Sequence, residues 1–417
     1  MSASAPPELD EARPEPARPF DSSPYNFASE VTAAEAVRHP LTITDVTLRE
    51  GQQASAVAFS VADQVAIARA LEGMGATSVQ VGYAGEDRAL AAVRSACPAL
   101  RLAVMVVGWD ERAEEQMRSA LEAGADVCSI IMRAAPRYLN DLGLTPAGAV
   151  DRVRHLVGTA RETGWRTVVF SPTHTMMADW ELLIELYRAA LREGADVVSI
   201  SDSQGKAKPA AVTLMVRRIL AELGPVAVRA HMHDDYGLAL ANTLAAVEAG
   251  ADWVDATVNG LGERAGNCAL EELVVSLEAL YGVDTGFDLE QLYAVSRLVE
   301  RLSGTAIPPR KSVVGADCFA NQLEIHVRAA ASDPSLMEPF DPALVGNERS
   351  VRLGVGSGPT AIRMKLQALG LALPDSGVSE ALRIVEERAR DTKHAIEDDE
   401  FEQIVALVAG GASHADR

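Results

Sequence analysis

The sequence predicts an α/β fold, a (β/α)8 TIM barrel followed by a smaller, mainly helical C-terminal region. Two observations predict it. From Leu41 onward, eight short β-branched runs alternate with longer amphipathic stretches, as repeated βα units do around a parallel sheet. Four of the turns before these runs are also similar to one another, EGMGATSVQ, LEAGADVCSI, LREGADVVSI and VEAGADWVDA. One structural unit therefore repeats along the chain.

The predicted strands are residues 41–46, 77–83, 101–107, 126–132, 166–171, 195–201, 226–232 and 252–258. In the four similar turns, glycine can adopt the left-handed conformation that ends a helix. An open doubly wound sheet more often has five or six strands and a glycine-rich phosphate turn after the first strand. No GxGxxG sequence follows residues 41–46. A closed barrel is the better prediction.

Three regions follow from the pattern. Residues 1–36 are rich in Pro, Ala, Glu and Ser without periodicity and are predicted to be a flexible extension. Residues 37–285 form the predicted barrel. Residues 286–417 are predicted to hold a lid and helical subdomains, with helices near 288–304 and 378–390. This last region is too long for a tail and too apolar for disorder.

The formal charge of -21 makes nucleic acid and acidic membranes improbable partners, because the field of the whole chain repels anions. The four cysteines are scattered without CxxC spacing, which argues against a disulfide framework or a cysteine-based zinc site. No secretory leader or membrane-spanning run is apparent. We therefore expect a cytoplasmic protein with no membrane partner.

Ionisable residues fall where barrel enzymes carry their chemistry, at the carboxyl ends of strands. Arg49 and Glu50 follow the first strand, and His231 and His233 end the seventh. Period-two alternation places both imidazoles on one face of the strand. Two imidazoles and a carboxylate form a familiar site for a divalent metal ion. Two rim histidines with ordinary hydrogen bonds are the alternative for an isolated HxH sequence.

Three motifs carry a resemblance to a known family. DxTLREGxQ after the first strand, HxHDD after the seventh and NGLGERAGN after the eighth resemble the DRE-TIM metallolyase superfamily. They are most similar to its condensing branch, which includes isopropylmalate synthase and homocitrate synthase. The resemblance runs from about Leu41 to about Leu369, since GADCFANQLEIHV, DPALVG and LGVGSGPTAI are similar to the helical subdomains of that branch.

The resemblance implies roles for individual residues. Glu50, His231 and His233 would bind one divalent ion, Mg, Mn or Zn, with Asn267 as a further ligand. Arg49, His326 and Glu263 would be catalytic, with His326 as the base and Arg49 stabilising an alkoxide. Gln53 and Ser203 lie at rim positions that suit contact with substrate. A surface-helix histidine is the alternative for His326.

The implied reaction joins an acyl-CoA to a 2-oxo acid. Acetyl-CoA is the simplest co-substrate, and the products would be a 2-substituted malate and free CoA. The metal would polarise the keto oxygen of the 2-oxo acid as a Lewis acid. The family resemblance also implies a homodimer in which a lid crosses between subunits.

Several positions depart from the family pattern at the end that selects the substrate. Gln80 replaces an acidic residue on the second strand, and Ser171-Pro172-Thr173-His174 replaces an SxED sequence after the fifth. Arg133 and Arg137 follow the fourth strand, and arginine suits bidentate recognition of anions. These departures suggest a 2-oxo acid with an unusual polar or anionic group, which Gln80, Arg133, Arg137 or His174 would contact.

Two other functions fit parts of the sequence. The lyase branch of the superfamily cleaves carbon-carbon bonds and generally uses a cysteine in a glycine-rich loop, whereas NGLGERAGN resembles the condensing version and Cys268 only follows it. A catalytically silent barrel that acts as a binding protein would explain the altered sequence after the fifth strand. The intact Arg49, Glu50, His231 and His233 argue against it.

Overall fold

The computed structural model describes residues 20–33 and 35–415 of the chain. Contacts divide them into two compact units, one at 22–307 and one that joins residues 20–21 to 308–415. Much of the predicted flexible extension, at residues 1–19 and 34, lies outside the described residues. The first unit reaches beyond residue 285, where the sequence places the end of the barrel.

The first unit is a closed barrel of eight parallel strands in the order β1 to β8. Each strand pairs with the next along the chain, and β1 closes the barrel against β8 with Thr42 opposite Trp253 and Asp45 opposite Ala256. The strands are β1 Thr42–Asp45, β2 Ser78–Tyr83, β3 Arg101–Val107, β4 Val127–Arg133, β5 Thr167–Thr173, β6 Val197–Asp202, β7 Ala227–Met232 and β8 Trp253–Ala256. The predicted fold class is confirmed.

Helices connect the strands around the barrel. They are α1 Ser29–Thr32, α2 Val61–Gly73, α3 Asp87–Ala96, α4 Ala113–Glu122, α5 Pro136–Asp141, α6 Pro146–Thr163, α7 Trp180–Arg192, α8 Pro209–Leu223, α9 Ala239–Glu248, α10 Leu270–Tyr281 and α11 Leu292–Ser303. Local chemistry sets where several begin. Ser60 and Asp63 form a reciprocal capping box before α2, and the Asp179 carboxylate accepts from the Leu182 amide at the start of α7.

The four similar turns adopt the conformation that the sequence predicts. Gly75, Gly124, Gly194 and Gly250 have φ angles of 97°, 102°, 101° and 103°. Each follows a helix and precedes the next strand, so each ends its helix in a conformation that only glycine adopts readily.

Helix α11 explains why the first unit continues past residue 285. Its apolar face buries Leu292, Val295 and Val299, and the helix packs on α2. Asn259, which follows β8, donates to the Ser296 carbonyl at 3.0 Å and accepts from the Ser296 hydroxyl at 2.5 Å. The predicted helix near 288–304 therefore exists but belongs to the barrel unit.

The second unit is mainly helical. Its elements are β9 Ala320–Asn321, α12 Glu324–Ser332, β10 Ser350–Val351, α13 Pro359–Ala368, α14 Asp375–Thr392 and α15 Asp398–Ala415. Helices α13 and α14 pack together, as do α14 and α15, around an apolar core that includes Ile362, Val385 and Phe401. The predicted helix near 378–390 is confirmed within α14. No helix in the described part of the chain is long and apolar enough to cross a membrane.

Candidate active site

A cavity of about 360 Å³ opens at the carboxyl ends of the barrel strands. The residues that line it come from strands β2 to β8 and from the segments that follow β1, β5, β6, β7 and β8. The predicted chemistry meets here, since Arg49, Glu50, His231 and His233 all line this cavity. The cavity therefore lies at the face where barrel enzymes place their active sites.

Glu50, His231 and His233 form a compact and buried group. The Nε2 atoms of the two histidines lie 3.3 Å apart, and each lies 3.7 Å from a Glu50 carboxylate oxygen. One ligand atom from each residue falls within 4.8 Å of the others. One carboxylate and two imidazoles are consistent with a divalent-metal site.

Asp255 orients the first imidazole. Its carboxylate lies 3.0 Å from His231 Nδ1, so Nδ1–H donates and the lone pair remains on Nε2, which faces His233. Burial lowers the pKa of His231, and burial followed by the neighbouring His231 lowers the pKa of His233 to about 2. Both imidazoles are therefore neutral and able to act as ligands at physiological pH.

The surroundings fit a bound cation. His231 Nε2 faces His233 Nε2 at 3.3 Å beside the Glu50 carboxylate, and a cation between these atoms would be bound by the lone pairs of both neutral imidazoles and by the carboxylate charge. Asn267 lies next to the group, with its amide nitrogen 3.5 Å from His231 Nε2. Its Oδ1 is buried and has no hydrogen-bond partner among the described residues. The same amide nitrogen donates to the Met232 carbonyl at 3.3 Å. Asn267 therefore lies beside the group and stays a predicted further ligand.

Arg49 lies beside the metal ligands and is buried. Its guanidinium contacts Glu50 through NH1 and donates from Nε to Gln80 Oε1 at 2.7 Å. Burial lowers the pKa of Arg49, but arginine stays charged in proteins. Gln80, which departs from the family pattern, is fully buried and holds this arginine rather than lining the cavity.

Two residues of this site, Arg229 and Asp255, were not predicted from the sequence. Arg229 is 2% exposed and donates from Nε to Asp255 Oδ1 at 2.8 Å. It also donates to the Ser129 hydroxyl at 3.2 Å. Desolvation opposes ionisation of Asp255, but the Arg229 charge and His231 together hold its pKa below the usual value. The alternation of side chains along β7 that places His231 inward also places Arg229 inward, two residues earlier. This periodicity could have predicted Arg229 from the sequence.

Three other predicted residues line the cavity. Gln53 donates to the Tyr83 hydroxyl at 2.9 Å, Ser203 Oγ accepts from the His174 amide at 2.9 Å, and Glu263 pairs with Arg264 at 2.8 Å. All three appear among the lining residues. Their positions suit contact with a bound molecule.

The residues that depart from the family pattern do not all line the cavity. His174 lines the cavity, whereas Arg133 and Arg137 are not among the lining residues. Arg133 lies over the Trp109 ring at 5.2 Å and donates to the Tyr138 carbonyl at 3.4 Å. Arg137 is exposed and lies over the Tyr138 ring at 4.9 Å. Both arginines therefore contact aromatic residues around the cavity.

Two further residues of interest, His326 and Cys268, have different surroundings. His326 is exposed in α12, which belongs to the second unit. Cys268, the residue considered for lyase chemistry, is fully buried, and burial raises the pKa of its thiol to about 12. A buried and protonated thiol is inert, so Cys268 does not supply the reactive cysteine of a lyase.

Two family models match the chain and show which family it belongs to. The family model described as HMGL-like matches residues 40–299, and the model described as a homocitrate synthase post-HMGL domain matches residues 313–407. The chain belongs to the HMGL-like family. The resemblance drawn from the three motifs is confirmed, and the second match covers most of the second unit.

HMGL-like relatives align over most of the chain. The chain is 35% identical over 370 residues to a homocitrate synthase of Methanopyrus kandleri, covering 88% of this chain and 92% of that protein. It is 32% identical over 383 residues to a 2-isopropylmalate synthase of Methanocaldococcus jannaschii, covering 90% and 73%. A candidate (R)-citramalate synthase of Methanopyrus kandleri is 38% identical over 344 residues, covering 82% and 67%.

Two solved structures share the fold. A hydroxymethylglutaryl-CoA lyase from Pseudomonas aeruginosa superposes with a TM-score of 0.58 at 21% identity, covering 65% of this chain and 95% of that chain. The carboxyl transferase domain of Rhizobium etli pyruvate carboxylase superposes with a TM-score of 0.55 at 19% identity, covering 78% and 62%. These likenesses support the barrel architecture.

Proposed function

We propose that this chain is an acyl-CoA:2-oxo acid condensing enzyme of the 2-alkylmalate synthase kind. The observation that carries the proposal is the buried group of Glu50, His231 and His233 beside Arg49 at the mouth of the barrel. Its relatives named as homocitrate, citramalate and isopropylmalate synthases support the same reaction class. The products are free CoA and a 2-substituted malate.

The metal ligands and Arg49 have different roles toward the 2-oxo acid. Glu50, His231 and His233, with Asn267, would hold a divalent ion, Mg, Mn or Zn, which would polarise the keto group as a Lewis acid when bound. Arg49 presents a buried positive charge beside this position, where negative charge develops on the keto oxygen as the new carbon-carbon bond forms. A preorganised charge in a buried site needs little rearrangement as the reaction proceeds.

The second substrate is an acyl-CoA, and acetyl-CoA is the simplest. Attack on the keto carbon requires removal of a proton from the carbon next to the thioester, and we assign this step to His326. Glu263 lines the cavity, and we assign it to catalysis through the loop after β8. Hydrolysis of the thioester product releases CoA and makes the reaction effectively irreversible.

The assembly and cellular location belong to the same proposal. We expect a cytoplasmic homodimer with the second unit acting as a lid over a partner barrel, as the family resemblance implies. Light scattering of the purified chain measures the oligomeric state directly. A monomer at concentrations where the protein is fully active contradicts the dimer.

Thiol release from acetyl-CoA tests the proposed reaction. Purified protein is loaded with Mg²⁺, Mn²⁺ or Zn²⁺ and assayed with oxoglutarate, oxoisovalerate, pyruvate and phosphonopyruvate. We expect metal-dependent CoA release with at least one acid. Glu50→Gln removes a ligand charge and should abolish release, whereas the matched surface change Glu114→Gln on α4 should not alter it.

The alternatives give different results in the same experiment. Metal binding with no CoA release from any acid, together with cleavage of a 2-hydroxy acid, indicates a lyase. Failure to bind any divalent ion indicates a silent barrel. Either result contradicts the condensing assignment.

A further inference from the structure

Arg264, in the loop after β8, lines the cavity beside Glu263. Its guanidinium forms a bidentate pair with Asp235, from Nε to Oδ1 at 2.7 Å and from Nη2 to Oδ2 at 2.9 Å. Nη2 also donates to the Ser203 carbonyl at 2.8 Å, and Nη1 donates to the Glu263 carboxylate at 2.8 Å. Four of the five N–H donors of this guanidinium are therefore used within the chain.

These contacts join segments that follow neighbouring strands. Ser203 follows β6, Asp235 follows β7 and Arg264 follows β8. Ser203 Oγ also accepts from the His174 amide at 2.9 Å, so the segment after β5 belongs to the same network. The Arg264 side chain therefore lies at the centre of a hydrogen-bond network that joins the segments after β5, β6, β7 and β8.

The backbones of these segments are also closely fitted. Gly205 has φ 57°, and a Cβ there would lie 2.7 Å from the Asp235 amide nitrogen. The Asp234 amide donates to the Gly266 carbonyl at 2.9 Å, and a Cβ at Gly266 would lie 2.0 Å from the Gly260 carbonyl oxygen. Glycine is therefore needed where these segments approach each other.

The network reaches the predicted metal ligands. His233 and Asn267 form an antiparallel bridge between the residue after β7 and the loop after β8. Arg264 itself has a left-handed backbone, with φ 61°, a conformation that non-glycine residues keep only where their surroundings impose it. A change in the contacts of Arg264 would therefore move the loop that carries Asn267 relative to His233.

We propose that Arg264 is a positioning residue that holds the segments after β5 to β8 in the geometry that the metal site and Glu263 need. It is a cation at the cavity, but its donors face acceptors of the protein, so it acts through the loops and does not bind the substrate. Its contact with Glu263 fixes the carboxylate to which we assign catalysis. The inference rests on the proposed condensing function, which by itself gives Arg264 no role.

Arg264→Lys tests the proposal because lysine keeps the charge but cannot form the bidentate pair and the two other contacts together. At saturating Mn²⁺, we expect kcat for CoA release to fall by about tenfold to a hundredfold, as displacement of catalytic groups does. The KM for the 2-oxo acid should change by less than about threefold, because no contact with the substrate is lost. The Mn²⁺ Kd should rise by about tenfold.

Arg161 provides a matched control at the opposite end of the barrel. Its guanidinium donates to three backbone carbonyls of the turns before β5 and β6, at 2.7, 3.0 and 3.1 Å, and pairs with Asp196. Arg161→Lys therefore loses contacts of the same kind and number. It should lower the Tm about as much as Arg264→Lys does but leave kcat and the Mn²⁺ Kd unchanged.

Hydrogen exchange measures the order of these segments without metal or substrate. Arg264→Lys should speed exchange by about tenfold in peptides that contain the His174, Asp234 and Asn267 amides, with the barrel strands unchanged. The charge-exchanged double variant Arg264→Asp, Asp235→Arg restores the ion pair. It should recover part of the protection that Arg264→Asp alone loses, as coupled residues do.

Several outcomes overturn the proposal. Exchange in these peptides that Arg264→Lys leaves unchanged contradicts it, whether or not the protein is active. Changes in kcat and Mn²⁺ Kd no larger than those of Arg161→Lys mean that Arg264 only stabilises the fold. A rise in KM for the 2-oxo acid at unchanged kcat makes Arg264 a substrate-binding residue and also contradicts it. If the wild type releases no CoA, the proposed function fails, and hydrogen exchange still decides the role of Arg264.

Discussion

Two regions of the barrel unit are built in different ways. The metal end, which we define as Glu50, His231, His233, Asp255 and Arg229, is mostly buried and joined by hydrogen bonds to neighbouring barrel strands. The distal rim, which we define as His174, Lys206, Arg133 and Arg137, is half-buried or exposed and comes from the end of β4, from α5 and from the loops after β5 and β6. Charges are paired at the metal end, whereas among the residues that the structure describes no ion pair within 4.0 Å involves Lys206 or Arg137.

This difference suits the metal end to the reaction and the distal rim to substrate selection. A group held by several strands tolerates little displacement, so the metal end is suited to chemistry that needs fixed geometry. Loops outside the strands change with little effect on the barrel, so the rim is suited to substrate choice. We therefore expect substitutions at the two ends to fail in different ways.

The largest expected effect is loss of a metal ligand. His233→Ala removes one imidazole and should abolish tight binding of Mn²⁺. CoA release should fall by about a thousandfold or more, since Lewis-acid polarisation supplies several kcal/mol. Equilibrium dialysis and the thiol assay measure the two quantities. Full activity without bound metal contradicts a role for this metal site in the reaction.

Arg49→Lys should have the next largest effect. Lysine keeps the charge but loses the Nε–H donated to Gln80, so the charge is displaced from the developing oxyanion. We expect kcat to fall by about a hundredfold to a thousandfold with the metal Kd nearly unchanged. A change confined to KM contradicts a role in stabilising the transition state.

Asp255→Asn tests whether the hydrogen bond from His231 to Asp255 contributes to metal binding. The variant weakens the hydrogen bond that fixes His231 and leaves buried Arg229 without its counter-charge. Loss of such a partner typically weakens metal affinity by about tenfold to a hundredfold. Asp252→Asn, at the opposite end of the barrel where Asp252 pairs with Arg38, is the matched control. Equal metal Kd in both variants means that Asp255 does not support the site.

The smallest expected effect concerns pH. Burial holds the pKa of His233 at about 2 and lowers that of His231, so protons compete with the metal less than they would at ordinary histidines as the pH falls from 8 to 6. We expect the Mn²⁺ Kd to change by less than about threefold over this range, whereas histidines with ordinary pKa values near 6.5 would compete increasingly below pH 7. Weakening by tenfold toward pH 6 shows that the imidazoles are more exposed to solvent than this structure places them.

The sequence predicted the metal end better than the rim. All eight strands begin and end within two residues of their predicted limits. Strand periodicity and the common edge of a parallel sheet then suffice to bring Glu50 to His231 and His233. Asp255 and Arg229 were missed because their pairing depends on the register of β7 against β8, where Arg229 lies opposite Trp253. Register is set by the closed barrel and cannot be read from one strand.

The rim was harder to predict for a different reason. Arg133 ends β4 and Arg137 lies in the short helix α5, and the aromatic neighbours of the two residues determine where their guanidinium groups point. Motif order gives the position of a loop in the chain and not the direction of its side chains. The left-handed backbone of His174 had no sequence signal, since histidine adopts that conformation only occasionally.

Anomalous diffraction from crystals grown with Mn²⁺ tests the central claim most directly. We predict one strong peak within ligand distance of Glu50, His231 and His233, with Asn267 oxygen turned toward it, and no such peak in crystals of His233→Ala. A strong peak at another position, or no peak at this group in the wild-type protein, contradicts the account.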